Sequence, residues 1–194
     1  FLHRRTLDAA TFGHAPLARL LAMDIIPPAQ LGAWRDTCQR ALAAVDAALA
    51  AAPAQPLRLH GDCHPGNILW RDEGDQGGPH IVDLDDALMG PAIQDLWMLL
   101  SGDAESMRSQ MAAVLQGYRQ FRHFDNRELA LIEPLRTLRM VHHSAWLAER
   151  WADPAFPVAF PWFGSAGYWG QQTMQLAEQI EAMAEPQMDL SLLD

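Results

Sequence analysis

The chain of 194 residues is long enough for one domain with a sizeable hydrophobic core. Hydrophobic residues make up 49% and charged residues 20%, proportions that are ordinary for a globular protein and that argue against disorder. The net charge of −10 argues against a nucleic-acid partner, because the sequence has no basic stripe to neutralise phosphates. All 14 basic residues are arginine, and the chain has no lysine.

The cysteines and the hydropathy pattern indicate in which cellular compartment the protein is expected. Cys38 and Cys63 are far apart and form no CxxC pair, so we expect reduced thiols in a cytoplasmic protein. We expect no membrane partner, because no apolar run reaches the roughly 18 residues of a membrane span and no signal peptide is evident. A monomer is the default expectation. The chain opens on Phe1 rather than Met, so we expect it to be a piece of something longer.

The leading segment is predicted to end in one long helix. Residues 1–28 have an irregular pattern, and Pro27-Pro28 predicts a break before the helix. From about Leu31 to Ala51 the apolar residues recur at helical spacing on an alanine-rich background. These apolar residues are Leu31, Trp34, Cys38, Leu42, Val45 and Leu49.

A short strand at 57–59 leads into the least regular stretch, a Pro- and Gly-containing loop at 60–67. Strands at 68–70 and 81–82 around a Gly/Asp-rich turn at 72–79 predict a hairpin. Helices are predicted at 92–101, 104–121, 127–151 and 166–184, with a proline- and aromatic-rich loop at 154–163. The predicted fold is α+β and mostly helical. We expect one domain made of segments 1–56, 57–91 and 92–194.

Three oxygen-bearing side chains occur in compact order around this loop and hairpin. Asp62 lies in the loop, Asn67 follows five residues later, and Asp83 comes directly after the strand 81–82. Phosphoryl transfer from ATP needs a carboxylate that accepts or orients the proton of the attacking hydroxyl, and it needs hard oxygen ligands for Mg²⁺. Because a hairpin returns the chain to its starting point, the order predicts a single phosphoryl-transfer site.

The sequence H-G-D-C-H-P-G-N at 60–67 and V-D-L-D-D-A at 82–87 resemble the catalytic loop and metal-binding strand of protein kinases and aminoglycoside phosphotransferases. With G-P-A-I-Q-D-L-W at 90–97 and R-W-A-D-P-A-F-P at 150–157, the chain is similar to bacterial stress-response serine/threonine kinases of the same fold. This similarity runs from about residue 57 to about residue 170. The turn at 72–79 looks several residues longer than in that group.

The resemblance implies a role for each matching residue. Asp62 would be the catalytic base, and Asn67 and Asp83 would bind Mg²⁺ and, through it, ATP. Asp83 thereby also counts among the catalytic residues. His60 would be a structural histidine of the loop, and Asp95 would brace the loop backbone from beneath. Asp85 and Asp86 receive no firm role. Asp85 could support the metal by contacting its ligands rather than the ion itself.

The resemblance further implies Mg²⁺ and ATP as cofactors and a hydroxyl-bearing substrate, with protein Ser/Thr in a bacterial stress response favoured. Kinases of this fold take a glycine-rich loop and a phosphate-binding lysine from a smaller lobe. Because the chain has no lysine and no glycine-rich strand–turn–strand before residue 57, we expect the C-terminal catalytic lobe alone. Its partner would be the missing N-terminal lobe, and the chain alone would transfer phosphate poorly or not at all.

Other functions fit parts of the pattern. The same chemistry serves kinases of aminoglycosides, choline and other small alcohols. The H-x-D-x-H run from His60 to His64 could ligate zinc in a metal-dependent hydrolase, although Asn67 is a poor zinc ligand. An isolated lobe could act as a non-catalytic binding module. A nucleophilic pair of Cys63 and His64 is disfavoured, because adjacent side chains in a tight loop seldom reach the required geometry.

Two further clusters have structural explanations. His142 and His143 point about 100° apart on a helix and cannot face one ion, so a core or cleft-wall role is favoured. A cluster of tryptophans is predicted to be core, with a substrate groove as the alternative. Its members are Trp146, Trp151, Trp162 and Trp169. The acidic balance is predicted to be a solvated surface, with a preference for basic segments around the acceptor hydroxyl as the alternative.

Overall fold

The computed structural model describes residues 4–72, 74, 77–186 and 188. The beginning of the predicted segment 1–56, with Phe1, part of the turn 72–79 and the end of the segment 92–194 lie outside the described residues. The described residues group into two compact units. The hairpin unit holds residues 4–7, 53–132 and 188, and the helical unit holds residues 8–52 and 133–186. The three-segment division of a single domain stays a prediction.

The described elements are mostly helical, with two small antiparallel sheets, which confirms the α+β class. The helices are α1 (Ala15–Ala22), α2 (Pro28–Ala51), α3 (Ile93–Trp97), α4 (Ala104–Tyr118), α5 (Ile132–Arg150), α6 (Ala155–Ala159) and α7 (Ala166–Ala184). The strands are β1 (Leu57–Leu59), β2 (Ile68–Arg71), β3 (Gly78–Ile81) and β4 (Leu88–Gly90). The π-helical turn is Ala10–His14, and the 3₁₀ turns are Pro65–Asn67 and Asn126–Leu131. No helix among the described residues has the length and apolar character needed to cross a membrane.

The helical unit is built around the packing of α2 against α7. Trp34 on α2 is fully buried, and its indole Nε1 donates a hydrogen bond of 2.7 Å to Oε1 of Gln172 on α7. The Trp169 ring meets the Trp34 ring edge to face at 5.3 Å. The buried residues Cys38, Leu42 and Val45 continue the same face of α2 at intervals of three and four, so the predicted apolar stripe is the packed one.

Several predictions for the helical elements are wrong. The loop predicted at 154–163 contains α6, and the helix predicted at 92–101 ends at Trp97. Residues 10–22 are helical rather than irregular. The π-helical turn runs directly into α1, and the Ala15 N–H donates to the Ala10 carbonyl five residues back. Pro16, which has no N–H to donate, directly follows this widened turn. The helix predicted at 127–151 is divided into the 3₁₀ turn and α5. Pro134 fits near the beginning of α5 but would break a continuous helix.

The hairpin unit contains both sheets. β1 pairs with β4, a strand that the sequence pattern did not predict, and Thr6 bridges to Met89 on the outer side of β4. β2 pairs with β3 from Ile68 opposite Ile81 to Arg71 opposite Gly78, as the predicted hairpin requires. The backbone N–H of Val82 donates to the Asn67 carbonyl at 3.0 Å, which extends this pairing by one residue. Asn67 therefore lies beside the segment that leads into Asp83.

Two glycines of the helical unit test this packing as a matched pair. A Cβ at buried Gly13 would lie 2.6 Å from Leu42 Cδ2 and 2.8 Å from Leu138 Cδ2, whereas a Cβ at exposed Gly32 on α2 would meet no atom within 4 Å. We expect Gly13→Ala to lower the free energy of unfolding by about 1–3 kcal/mol through overpacking. Gly32→Ala should raise it by about 0.5–1 kcal/mol through helix propensity. Urea unfolding measures both, and equal stability of Gly13→Ala and the unchanged protein would contradict this packing.

Candidate active site

The loop that follows β1 depends on a glycine. Gly61 has φ +91°, a left-handed conformation that residues with a Cβ rarely adopt. A Cβ at this position would also collide with the backbone carbonyl oxygen of Asp86. The segment after β3 therefore packs directly against the loop backbone, and only glycine permits this approach.

The imidazole of His60 joins the loop to the strand end before Asp83. The ring is buried, its Nδ1 accepts a hydrogen bond of 3.3 Å from the Asp62 backbone N–H, and its Nε2 lies 2.7 Å from the Val82 carbonyl oxygen. Since Nδ1 acts as an acceptor, the proton of the neutral ring is on Nε2, which donates to Val82. One side chain thereby fixes the backbone on both sides of the candidate site.

Asn67 closes the loop from its other end. Its side-chain Nδ2 donates to the Asp62 backbone carbonyl oxygen at 3.0 Å. Its backbone carbonyl accepts a hydrogen bond from the Val82 N–H. The bond from Nδ2 commits the amide nitrogen, so Oδ1 is the side-chain atom with which Asn67 can bind a cation. The hydrogen bonds of His60 and Asn67 form a closed ring through Asp62 and Val82, which we call the loop ring.

Asp83 directly follows the loop ring. Its φ of 64° is left-handed, a conformation that costs free energy in residues with a Cβ and that aspartate tolerates better than most. Backbone conformations of this kind concentrate at functional sites, where the surrounding structure maintains them. Asp83 is exposed and Asp62 half-buried, so solvent reaches both residues.

Helix α3 supports the loop backbone from within the hairpin unit. The Asp95 carboxylate accepts hydrogen bonds from the backbone N–H groups of His60, at 2.7 Å, and Gly61, at 2.9 Å. Burial raises the pKa of Asp95, and these two N–H groups oppose part of the rise. Buried Gln94 donates from Nε2 to the Gly61 carbonyl at 3.1 Å. Neighbouring residues of one short helix therefore hold Gly61 at both its N–H and its carbonyl.

Glu128 is a supporting residue that the sequence pattern did not reveal. It is buried in the 3₁₀ turn Asn126–Leu131, and its Oε2 accepts a hydrogen bond of 3.0 Å from the Ile93 backbone N–H. Ile93 is the first residue of α3, so Glu128 satisfies an N–H that the helix itself leaves without a partner. Burial raises the pKa of Glu128. A glutamate in a segment of helical spacing has the sequence signature of an exposed residue, so no local signal could identify this role.

The donor set fits a hard cation better than zinc. Mg²⁺ keeps several waters and needs only one or two oxygen ligands from the protein, which Asn67 Oδ1 and the Asp83 carboxylate can provide. Among the described residues, no group of three or more His, Cys, Asp or Glu side chains is arranged to hold a metal ion. Both ring nitrogens of His60 are already bonded to backbone groups, so His60 is not available as the zinc ligand that the H-x-D-x-H run suggests.

The cysteine and the adjacent histidines considered in the sequence analysis have structural explanations. Cys63 is buried, and burial raises the pKa of its thiol, which disfavours a nucleophilic thiolate. The His142 ring lies 4.6 Å from the Phe12 ring, whereas His143 stacks on Trp146 at 5.9 Å, so the adjacent histidines have separate partners.

The tryptophans of the predicted cluster differ in exposure. Trp169 is buried in the core, Trp146 and Trp151 are half-buried, and Trp162 is exposed. The carbonyl of Asp85 accepts a hydrogen bond of 2.7 Å from Arg4.

Glu128 generates a prediction about pH. Because burial raises its folded pKa, the folded protein keeps this proton at pH values where the unfolded chain has released it, so rising pH lowers the free energy of unfolding. Glu128→Gln lacks this titration. Urea unfolding between pH 4 and 7 measures the effect. As pH rises, the free energy of unfolding of the unchanged protein should fall relative to that of Glu128→Gln. The exposed Glu181→Gln is the control, and a constant difference for Glu128→Gln would refute the assignment.

Comparison with known proteins supplies the family. Residues 3–132 match the phosphotransferase enzyme family. Stress response kinase A of Escherichia coli O157:H7 is 45% identical over 191 residues, which are 98% of this chain and 56% of that protein. Serine/threonine protein kinase RdoA of Salmonella typhimurium is 53% identical over 135 residues, 70% of this chain and 40% of that protein. The chain thus spans about half the length or less of these curated relatives, and the resemblance that the motifs predicted is confirmed. This chain belongs to the phosphotransferase enzyme family.

Proposed function

We propose that the chain carries the catalytic half of a kinase that transfers the γ-phosphoryl group of ATP to a hydroxyl group with the help of Mg²⁺. The observation that carries this proposal is the loop ring, because it joins the backbones of Asp62 and Asn67 to the strand end before Asp83. The family supports a phosphotransferase in general. The donor, the metal and the residue roles belong to the proposal.

In this proposal Asp62 is the catalytic base. The substrate hydroxyl oxygen forms a bond to the γ-phosphorus, its proton passes to the Asp62 carboxylate, and the bond from the γ-phosphorus to the bridging oxygen breaks so that ADP leaves with the electron pair. Asn67 and Asp83 would hold Mg²⁺, which when bound neutralises charge on the phosphate oxygens. His60 and Asp95 position the backbone of the loop and do not touch the reacting atoms.

The rest of the proposed nucleotide site lies outside this chain. A glycine-rich loop and a phosphate-binding lysine are needed in kinases of this kind, and the chain contains no lysine. We therefore assign to the chain the C-terminal catalytic lobe of a protein-kinase-like fold, which works together with an N-terminal lobe. Purified residues 1–194 should show little or no phosphoryl transfer. We place the enzyme in the cytoplasm, in keeping with two free, buried cysteines.

For the acceptor we propose Ser/Thr hydroxyls of proteins. The support is the name of the Salmonella typhimurium relative, a serine/threonine protein kinase, together with the stress response kinases of Escherichia coli. A small-molecule alcohol is the competing acceptor, since the chemistry of Asp62, Asn67 and Asp83 serves either hydroxyl. Transfer of labelled phosphate to protein, and not to choline or an aminoglycoside, is the result that the proposal expects.

The proposal predicts the effect of removing single carboxylates from the natural polypeptide that contains this chain. Asp62→Asn and Asp83→Asn should each lower kcat by roughly 10²–10⁴-fold, because the base or the metal oxygen is lost while the fold is kept. The matched control is Asp36→Asn on α2, an exposed carboxylate whose ion pair is with its neighbour Arg35. Radiolabelled phosphate transfer measures all three. Near-normal turnover by Asp62→Asn would refute the proposed base.

A further inference from the structure

We propose that His64 is a positioning residue that holds the Asp62 carboxylate through its Nε2–H while Asp62 takes the substrate proton. This inference rests on the proposed phosphotransferase function and deepens it. His64 belongs to the H-x-D-x-H run, but the loop ring uses His60 and not His64. Its contacts point to a separate task beside the candidate base.

The hydrogen bonds of His64 determine where its proton lies. Its Nδ1 accepts a hydrogen bond of 3.0 Å from the Gly66 backbone N–H and thereby caps the 3₁₀ turn Pro65–Asn67. A neutral imidazole whose Nδ1 accepts carries its proton on Nε2. That nitrogen lies 3.5 Å from Asp62 Oδ2. The cap therefore turns the donor of the ring towards the carboxylate.

The loop is shaped around this ring. A Cβ at Gly66 would lie 2.8 Å from His64 Cε1 and 2.9 Å from His64 Nδ1, closer than side-chain carbons approach other atoms. Gly66 does not have a positive φ, so backbone conformation alone does not require glycine there. The space that glycine leaves is occupied by the imidazole. The hydrogen bond from Gly66 and this close packing on Gly66 together fix the position of the ring.

The geometry gives His64 a role in orientation rather than in proton removal. Its Nε2 already carries a proton and donates it towards Oδ2. Because Oδ1 of Asp62 is buried, the substrate hydroxyl would approach Oδ2, whose second lone pair is left for the hydroxyl proton. The hydroxyl proton ends on Asp62, His64 keeps its own proton, and the phosphoryl group passes to the hydroxyl oxygen as ADP leaves. A contact of 3.5 Å is long for a hydrogen bond, and such bonds at active sites commonly tighten once substrate is bound.

Two substitutions separate the cap from the donor in the natural polypeptide. His64→Asn keeps an oxygen that can cap the 3₁₀ turn, but its side chain is too short to reach Asp62. His64→Gln extends an amide N–H towards Asp62. We expect His64→Asn to lower kcat about 10- to 100-fold, with little change in the KM for ATP or in the melting temperature. His64→Gln should retain more kcat than His64→Asn, and wild-type kcat in His64→Asn would overturn the inference.

Gly66→Ala provides a double-mutant cycle. With His64 present, the added methyl displaces the ring, and kcat should fall by a factor similar to that of His64→Asn. In the His64→Ala background the same change should have little effect, because no ring remains to be displaced. Equal losses in both backgrounds would show a backbone effect at residue 66 and would overturn the inference.

An NMR measurement separates this inference from the proposed function. The imidazole nitrogen signals of His64 should show the Nε2–H tautomer, and in Asp62→Ala the Nε2 proton should exchange faster with water. The Nδ1–H tautomer would overturn the inference whatever the activity. If the unchanged polypeptide transferred no phosphate while His64 showed the expected tautomer and exchange, the proposed function would fail and the positioning of Asp62 by His64 would stand.

Discussion

The imidazole of His60 is the interaction on which the candidate site depends. It is buried, and it bonds the backbone of Asp62 on one side and that of Val82 on the other. Together with the hydrogen bonds of Asn67, it joins the residue proposed as base to the strand end that leads to Asp83. Side chains that position reacting groups need such support, because small displacements cost large factors in rate.

Two carboxyl groups, half-buried Asp95 and buried Glu128, support the backbone around His60. Asp95 holds the loop at two backbone N–H groups, and Glu128 holds the first residue of the helix that carries Asp95. Burial raises the pKa of both carboxyls, because desolvation disfavours their charged forms. The hydrogen bonds of these two carboxyls hold the backbone of the loop and the first turn of α3 in this chain.

Local patterns were sufficient for the features that depend on near neighbours in sequence. The short apolar runs at 68–70 and 81–82 around a Gly/Asp-rich turn predicted the hairpin of β2 and β3, although β3 begins at Gly78, inside the predicted turn. Residues 10–22 were missed because the pattern of residues 1–28 looked irregular, and β4 was missed because three residues give too short a pattern. Glu128 was beyond prediction, since its partner is 35 residues away and only tertiary packing brings them together.

The proposed site requires Asn67 and Asp83 to bind one metal ion beside Asp62. The isotope-labelled natural polypeptide is mixed with an ATP analogue that cannot be hydrolysed and with paramagnetic Mn²⁺ in place of Mg²⁺. The Mn²⁺ ion broadens the NMR signals of nuclei near it. We predict the strongest broadening at residues 62, 67 and 83 together, and its loss in Asp83→Asn. Broadening at Asp83 but not at Asn67, or centred on another part of the chain, would contradict the account.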